Sequence, residues 1–302
     1  MKAIILHEYG GPDNLKYEDV PDPTPGEGEV LVRIVATSIN PIDYKIRSGA
    51  AQARFPVKFP AILGRDTSGI VRSIGPNVTG FAPGDKVIGL GWATYAELTV
   101  IKADLLTHLP EGLDPIEAAA LPLVTLTGEQ LISRGARPQP GQTILVTGAL
   151  GNVGRTSVFV AKKAGATVIA GVRKPQLKDA ESLGADQILA LDDEAAMATL
   201  GFLDAIADTV NGETAQMLVG KVKPGGIFAS VLGPPANAKL HPTVHIEAVV
   251  CTPDPAALRI LAEDVLAGRF KIPIDRMIPL ADTGKGQEAA EKGGIGKILL
   301  LP

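Results

Sequence analysis

The stretch Thr147-Gly148-Ala149-Leu150-Gly151-Asn152-Val153-Gly154 constrains this chain more than any other, because of what flanks it. Gln142–Val146 reads as a short buried strand, Val153–Ala164 runs at helical spacing and stops at Gly165, and Thr167–Ala170 is a second apolar strand. Strand, glycine-rich turn, helix and strand make a βαβ unit, right-handed by default. In that setting glycines let the backbone turn tightly and approach a pyrophosphate, whose charge meets the free N–H groups of the helix start. Gly148, Ala149, Gly151, Asn152, Val153 and Gly154 are therefore expected to bind a dinucleotide; the plainer reading is a tight turn with no ligand. Ala149 stands where G-x-G-x-x-G has its first glycine, a loss that only narrows the turn. Gly151 keeps the backbone approach and Gly154 the helix–strand packing.

A chain of 302 residues is long enough for two domains, each with its own core. Residues 1–120 read as β-rich, with strands at Lys2–His7, Glu29–Thr37, Ser68–Ile74, Lys86–Leu90 and Ala93–Val100, divided by proline- and glycine-rich turns. From Ile116 the pattern turns helical. From Gln142 strands alternate with helices: Thr143–Val146, Thr167–Ala170, Gln187–Leu189, Leu203–Asp208, Ile227–Leu232 and Val244–Val250. Near-continuous apolar strands separated by helices predict an α/β fold, a doubly wound parallel sheet covered on both faces. Residues 121–252 would form this domain. Residues 253–302 would complete the first, through a helix after Pro253 and a last strand at Lys297–Leu301.

The net charge of −4 gives no reason to expect nucleic acid. Cys251, the lone cysteine, excludes an internal disulfide and a thiolate cluster for zinc. The only apolar run near the start, Ala3–Leu6, is too short for a signal peptide or membrane span, so a cytoplasmic protein with no membrane partner is expected. At the end of the second parallel strand, where a carboxylate would select NAD, stand Gly171-Val172-Arg173-Lys174. Arg173 and Lys174 suit a 2′-phosphate and NADPH; the alternative is a solvated basic helix start.

Together these features resemble the zinc-independent quinone oxidoreductases, related to zeta-crystallin, of the medium-chain dehydrogenase/reductase superfamily. Over nearly the whole chain the markers are Ser38-Ile39-Asn40-Pro41-Ile42-Asp43, Pro60–Asp66, Gly84–Val87, Thr94–Glu97, the nucleotide loop, Leu183–Asp186, Lys223–Gly226 and Gly296-Lys297-Ile298. The resemblance implies a GroES-like catalytic domain, a Rossmann cofactor domain, a small-molecule quinone or enone substrate, and a homodimer. Zinc alcohol dehydrogenases of the superfamily place metal ligands where this chain has Asn40-Pro41 and Gly64-Arg65-Asp66. Proline offers no ligand, arginine cannot deprotonate and asparagine is a poor zinc donor, so no catalytic metal is expected. Hydride transfer to a conjugated acceptor needs less help than alcohol oxidation, because the acceptor delocalises the charge itself.

Asn40 is implied to lie near the nicotinamide, or else is a turn asparagine before proline. Lys45 stands where related alkenal and enone reductases place a lysine; its ammonium would stabilise an enolate and donate a proton, unless it is a solvated loop lysine. Asp43 is read as fixing the loop, and Arg65 and Asp66 as a structural ion pair. Thr127 resembles a family threonine beside the nicotinamide, or caps the long helix. Leu232 and Gly233 should pass close to the ribose, Lys297 and Val249–Cys251 are candidate pocket linings, and Leu191 replaces a tyrosine that relatives stack on the cofactor. An enoyl-thioester reductase, with Arg47, Arg54 and Lys58 hinting at a carrier-phosphate channel, is the enzymatic alternative. A non-catalytic NADPH-binding protein is the other.

Overall fold

The computed structural model describes every residue from Met1 to Pro302 except Ile295. Its contacts divide the chain into two compact units, Met1–Leu123 with Pro253–Pro302, and Val124–Thr252. The first unit opens with β1 (Lys2–Leu6), β2 (Leu15–Asp19) and β3 (Glu29–Ser38), followed by α1 (Pro41–Arg47). Then come β4 (Ala61–Ile62), β5 (Asp66–Ile74), β6 (Lys86–Leu90), β7 (Leu98–Lys102), β8 (Leu106–His108) and α2 (Pro115–Ala118). β3 pairs with both β5 and β7, and Val30, Leu31 and Val32 are all buried rather than alternating, Val30 and Val32 packing with Val71, Val87 and Ile101. The strand expected from Ala93 begins only at Leu98. Ala93 takes a positive φ of 56°, and Tyr95 turns inward, its N–H bonded to the Leu63 carbonyl at 3.0 Å.

The second unit begins within α3 (Pro122–Gln130), which winds on as a π-helix to Ala136. It alternates β9 (Thr143–Thr147), α4 (Asn152–Lys163), β10 (Thr167–Val172), α5 (Leu177–Ala180), β11 (Gln187–Ala190), α6 (Glu194–Thr199), β12 (Leu203–Asp208), α7 (Gly212–Val219), β13 (Val222–Ser230) and β14 (His245–Ala248). The strands form one six-stranded parallel sheet in the order β11-β10-β9-β12-β13-β14. This is the Rossmann order, with its topological switch between β9 and β12. Side chains of β9 alternate between two apolar layers, Ile144 and Val146 on one face and Leu145 on the other. Each such buried aliphatic chain contributes roughly 1.5–3 kcal/mol. Covering both faces is what makes these strands read as unbroken apolar runs.

The chain then returns to the first unit through α8 (Pro255–Leu266), β15 (Ile274–Pro279), α9 (Thr283–Glu291) and β16 (Lys297–Leu301). Asp254 caps α8 by accepting from the Ala257 N–H at 2.9 Å, and Leu258, Leu261 and Ala262 form its buried stripe. β16 runs antiparallel to β3, pairing Leu299 with Ser38 and Leu300 with Thr37. That register brings Lys297 to the residues that follow β3.

Candidate functional site

In the second unit the loop between β9 and α4 has the expected mechanics. Gly148 sits at φ 58°, the Gly151 N–H closes the turn onto the Gly148 carbonyl at 2.8 Å, and the Ala149 N–H ties the loop to Gly171 of β10 at 3.1 Å. α4 starts at Asn152 with Gly151 before it and no side chain capping it, so its first N–H groups stay available to an anion. A Cβ on Gly154 would lie 2.2 Å from the Gly148 carbonyl oxygen, so only glycine lets the helix close on the loop. The Asn152 Oδ1 is buried without a hydrogen-bond partner; its partner must come from a ligand or a water. A dinucleotide phosphate fits this arrangement.

Asp208, which sequence reasoning passed over, organises the edge of the sheet beside that loop. Its buried carboxylate accepts from Thr147 Oγ1 at 2.9 Å, Ser230 Oγ at 2.8 Å and the N–H groups of Val210 and Asn211 at 3.2 Å. It thereby holds together the ends of β9, β12 and β13, at the crevice where open α/β sheets take their ligands. The signal was an acid closing the apolar run Leu203–Asp208. Leu232 is exposed just beyond β13, its carbonyl accepting from Asn211 Nδ2 at 3.2 Å, and Gly233 follows at φ 100°. Arg173 and Lys174 are both exposed at the end of β10. Leu191 packs beneath Gly171 as core rather than presenting a platform. Thr127 lies well inside α3, which starts at Pro122, so it cannot be that helix's cap.

In the first unit a buried polar cluster gathers at the start of α1. Asp66, wholly buried, accepts from the Ser38 hydroxyl, from Asn40 Nδ2 at 2.7 Å and from the Leu123 N–H at 2.7 Å. The cation set against it is Lys297, whose Nζ lies 3.4 Å from Asp66 Oδ2, 2.6 Å from Asn40 Oδ1 and 3.0 Å from the Ile39 carbonyl. Burial lowers the Lys297 pKa, against the opposing pull of Asp66 and Asp43. Asp43 Oδ2 accepts from the Asn40 N–H at 2.8 Å and from the Tyr95 hydroxyl at 2.7 Å, while its Oδ1 is buried without a partner. Burial pushes the Asp43 carboxyl up to about 6, although both hydrogen bonds oppose the shift. The Tyr95 hydroxyl is raised well above its ordinary value by burial and by the charge of Asp43.

These contacts redraw several roles. Asn40 has no exposed surface, and its carboxamide is engaged by Asp66 at one end and Lys297 at the other. Arg65 turns away from its sequence neighbour, donating to the Gly91 carbonyl at 2.7 Å and lying 3.8 Å over the Trp92 ring. Arg65 stands just before β5, and its own carbonyl accepts from the Gly91 N–H at 2.8 Å, which keeps it beside that residue. Lys45 lies on a helix, not a loop, half-buried on the side of α1 away from Asp43 and outside the cluster. Arg47 is buried and committed to the Gly10 carbonyl, Gln287 and Glu291, so the suggested carrier-phosphate channel loses a residue.

Comparison with known proteins follows the same lines. Residues 26–111 match the alcohol dehydrogenase GroES-like domain, and residues 183–300 the zinc-binding dehydrogenase domain. A quinone oxidoreductase of Pseudomonas aeruginosa is 31% identical, covering 100% of this chain and 99% of its own. A chloroplast envelope quinone oxidoreductase homolog of Arabidopsis thaliana is 38% identical over 199 residues, 63% of this chain; the match spans 60% of that relative's length. The solved quinone oxidoreductase of Coxiella burnetii superposes with a TM-score of 0.89 at 27% identity, over 100% of this chain and 99% of its own. A mycobacterial structure complexed with NADPH gives 0.86 at 26% identity, over 100% of both chains. The zinc named in the second domain's description finds no fitting donors at Asn40-Pro41 and Gly64-Arg65-Asp66. The oxygens of Asn40 and Asp66 already serve the Lys297 ammonium, Pro41 and Arg65 offer none, and the described residues hold no group of three or more His, Cys, Asp or Glu able to take a metal ion.

Proposed function

This chain belongs to the quinone oxidoreductase branch of the medium-chain dehydrogenase/reductase superfamily, and on that premise we propose that it reduces a quinone or an α,β-unsaturated carbonyl with NADPH. The observation carrying the proposal is the β9–α4 loop: an uncapped helix start, a glycine that no other residue can replace, and an orphaned polar atom at one spot. Bound reduced nicotinamide supplies a hydride. The loop residues Gly148–Gly154 hold the pyrophosphate, Asp208 keeps the strand ends in place, and the basic end of β10 meets the 2′-phosphate.

Lys45 is the residue assigned to the oxygen of the acceptor. Of the two basic side chains of α1, Arg47 is spent on Gln287 and Glu291, whereas Lys45 has no side-chain partner among the described residues. An ammonium there stabilises negative charge developing on oxygen and returns a proton. Lys297 cannot take that part, since its three hydrogens already go to Ile39, Asn40 and Asp66. The reading is tested by following loss of NADPH absorbance with 9,10-phenanthrenequinone and with an alkenal. Turnover of either supports it; saturable NADPH binding with no turnover on any acceptor would sink it.

A further inference from the structure

We propose that Asp193 tunes the choice between NADPH and NADH by holding Lys174 away from a 2′-phosphate, which leaves Arg173 as the cation that reads it. The proposal rests on the reading of the end of β10 as the adenosine-ribose site. β10 and β11 are parallel neighbours with Val172 opposite Ala190, so Arg173-Lys174 and Asp192-Asp193 emerge side by side at the same edge. Lys174 is fastened at both ends: its N–H donates to Asp192 Oδ1 at 2.6 Å and its Nζ pairs with Asp193 Oδ2 at 2.7 Å. Asp193 is itself fixed, because its other oxygen caps α6 by accepting from the Ala196 N–H at 3.1 Å. The lysine's charge is therefore answered before any nucleotide arrives. The Arg173 guanidinium has no partner among the described residues, and its planar fork suits a phosphate better than an ammonium does. For Lys174 to reach a 2′-phosphate it must release Asp193, and a carboxylate left beside a dianion repels it. Asp193 thus opposes NADPH and leaves NADH, with its neutral 2′-hydroxyl, untouched.

The experiment is titration of the full-length protein with NADPH and with NADH at low salt, for wild type, Asp193→Asn and Arg173→Ala. Asparagine caps a helix as well as aspartate, so α6 is preserved; Asp193→Ser, another good cap, serves if the first variant does not fold. Asp193→Asn raises the NADPH:NADH affinity ratio about two- to five-fold, the scale of an exposed ion pair, and the gain shrinks as salt is added. Arg173→Ala lowers the same ratio about tenfold, as expected for a charge-assisted phosphate contact. An unchanged or lower ratio for Asp193→Asn, with Arg173→Ala still lowering it, overturns the role of Asp193 alone. A ratio indifferent to Arg173→Ala overturns the ribose-site reading beneath it.

Discussion

Replacing Lys297 by methionine tests the electrostatics of the first unit. Methionine keeps most of the length and apolar volume but removes an ammonium that is 3% exposed and bonded to Ile39, Asn40 and Asp66. Breaking a buried pair from one side costs about 3–5 kcal/mol, because the remaining charge has no counter-ion. Asp66 would still accept from Ser38, Asn40 and the Leu123 N–H, so the cost of Lys297→Met should lie near the lower end, about 3 kcal/mol. Asp66→Asn should cost a similar amount for the mirror-image reason. The double variant leaves no stranded charge and should recover about 2 kcal/mol relative to the sum of the singles. Urea unfolding read by the fluorescence of Trp92, which belongs to the same unit, gives the midpoints, with unchanged slopes showing that stability alone has moved. Additive single and double losses would refute the pairing as the organising contact.

Gly154→Ala forces a Cβ to 2.2 Å from the Gly148 carbonyl oxygen; it should lower stability by about 1–3 kcal/mol and sharply weaken NADPH binding, both measurable by melting with and without nucleotide. Asp43 gives a pH signature. A buried carboxyl raised from 3.8 to about 6 supports the fold fully below about pH 4, and its contribution is lost as pH rises through about 6. Relative to Asp43→Asn, wild type should therefore lose about 2 kcal/mol between pH 4 and pH 8 in parallel denaturation series, and a flat difference would contradict the raised value. Lys45→Ala should reduce kcat on quinone or alkenal while leaving the NADPH dissociation constant unchanged; unaltered kcat would return Lys45 to the role of a surface residue.

The parallel sheet was legible because its signal is local. β9, β10 and β12 are apolar runs bounded by turn residues, and burial on both faces erases the ambiguity of alternation. The short strands β2, β4 and β8 and the edge strand β15 carry no comparable local signal. Their residues are largely half-exposed or few, and only pairing with distant segments makes them strands. Along the sequence Asn40-Pro41 looks like a turn, which hides α1. In the structure the proline is the first helical residue, and Asp43 accepts from the Asn40 N–H to complete the helix start.

The polar cluster was visible only in pieces, and the reason is topological. Asn40, Asp66 and Lys297 are separated by up to 257 positions in the chain, and no spacing rule connects them. What joins them is the register of β16 against β3: pairing Leu299 with Ser38 sets Lys297 against Ile39 and Asn40. A buried carboxylate at Asp66 requires a positive partner, and an adjacent arginine looked sufficient in one dimension. Arg65, just before β5, is engaged by Gly91 and Trp92, so the charge comes from elsewhere in the fold. It comes from the first residue of the last strand. A cation tied to the backbone cannot dissociate as a bound ion can, so the integrity of the α1 start depends on the C-terminal strand staying in register with β3.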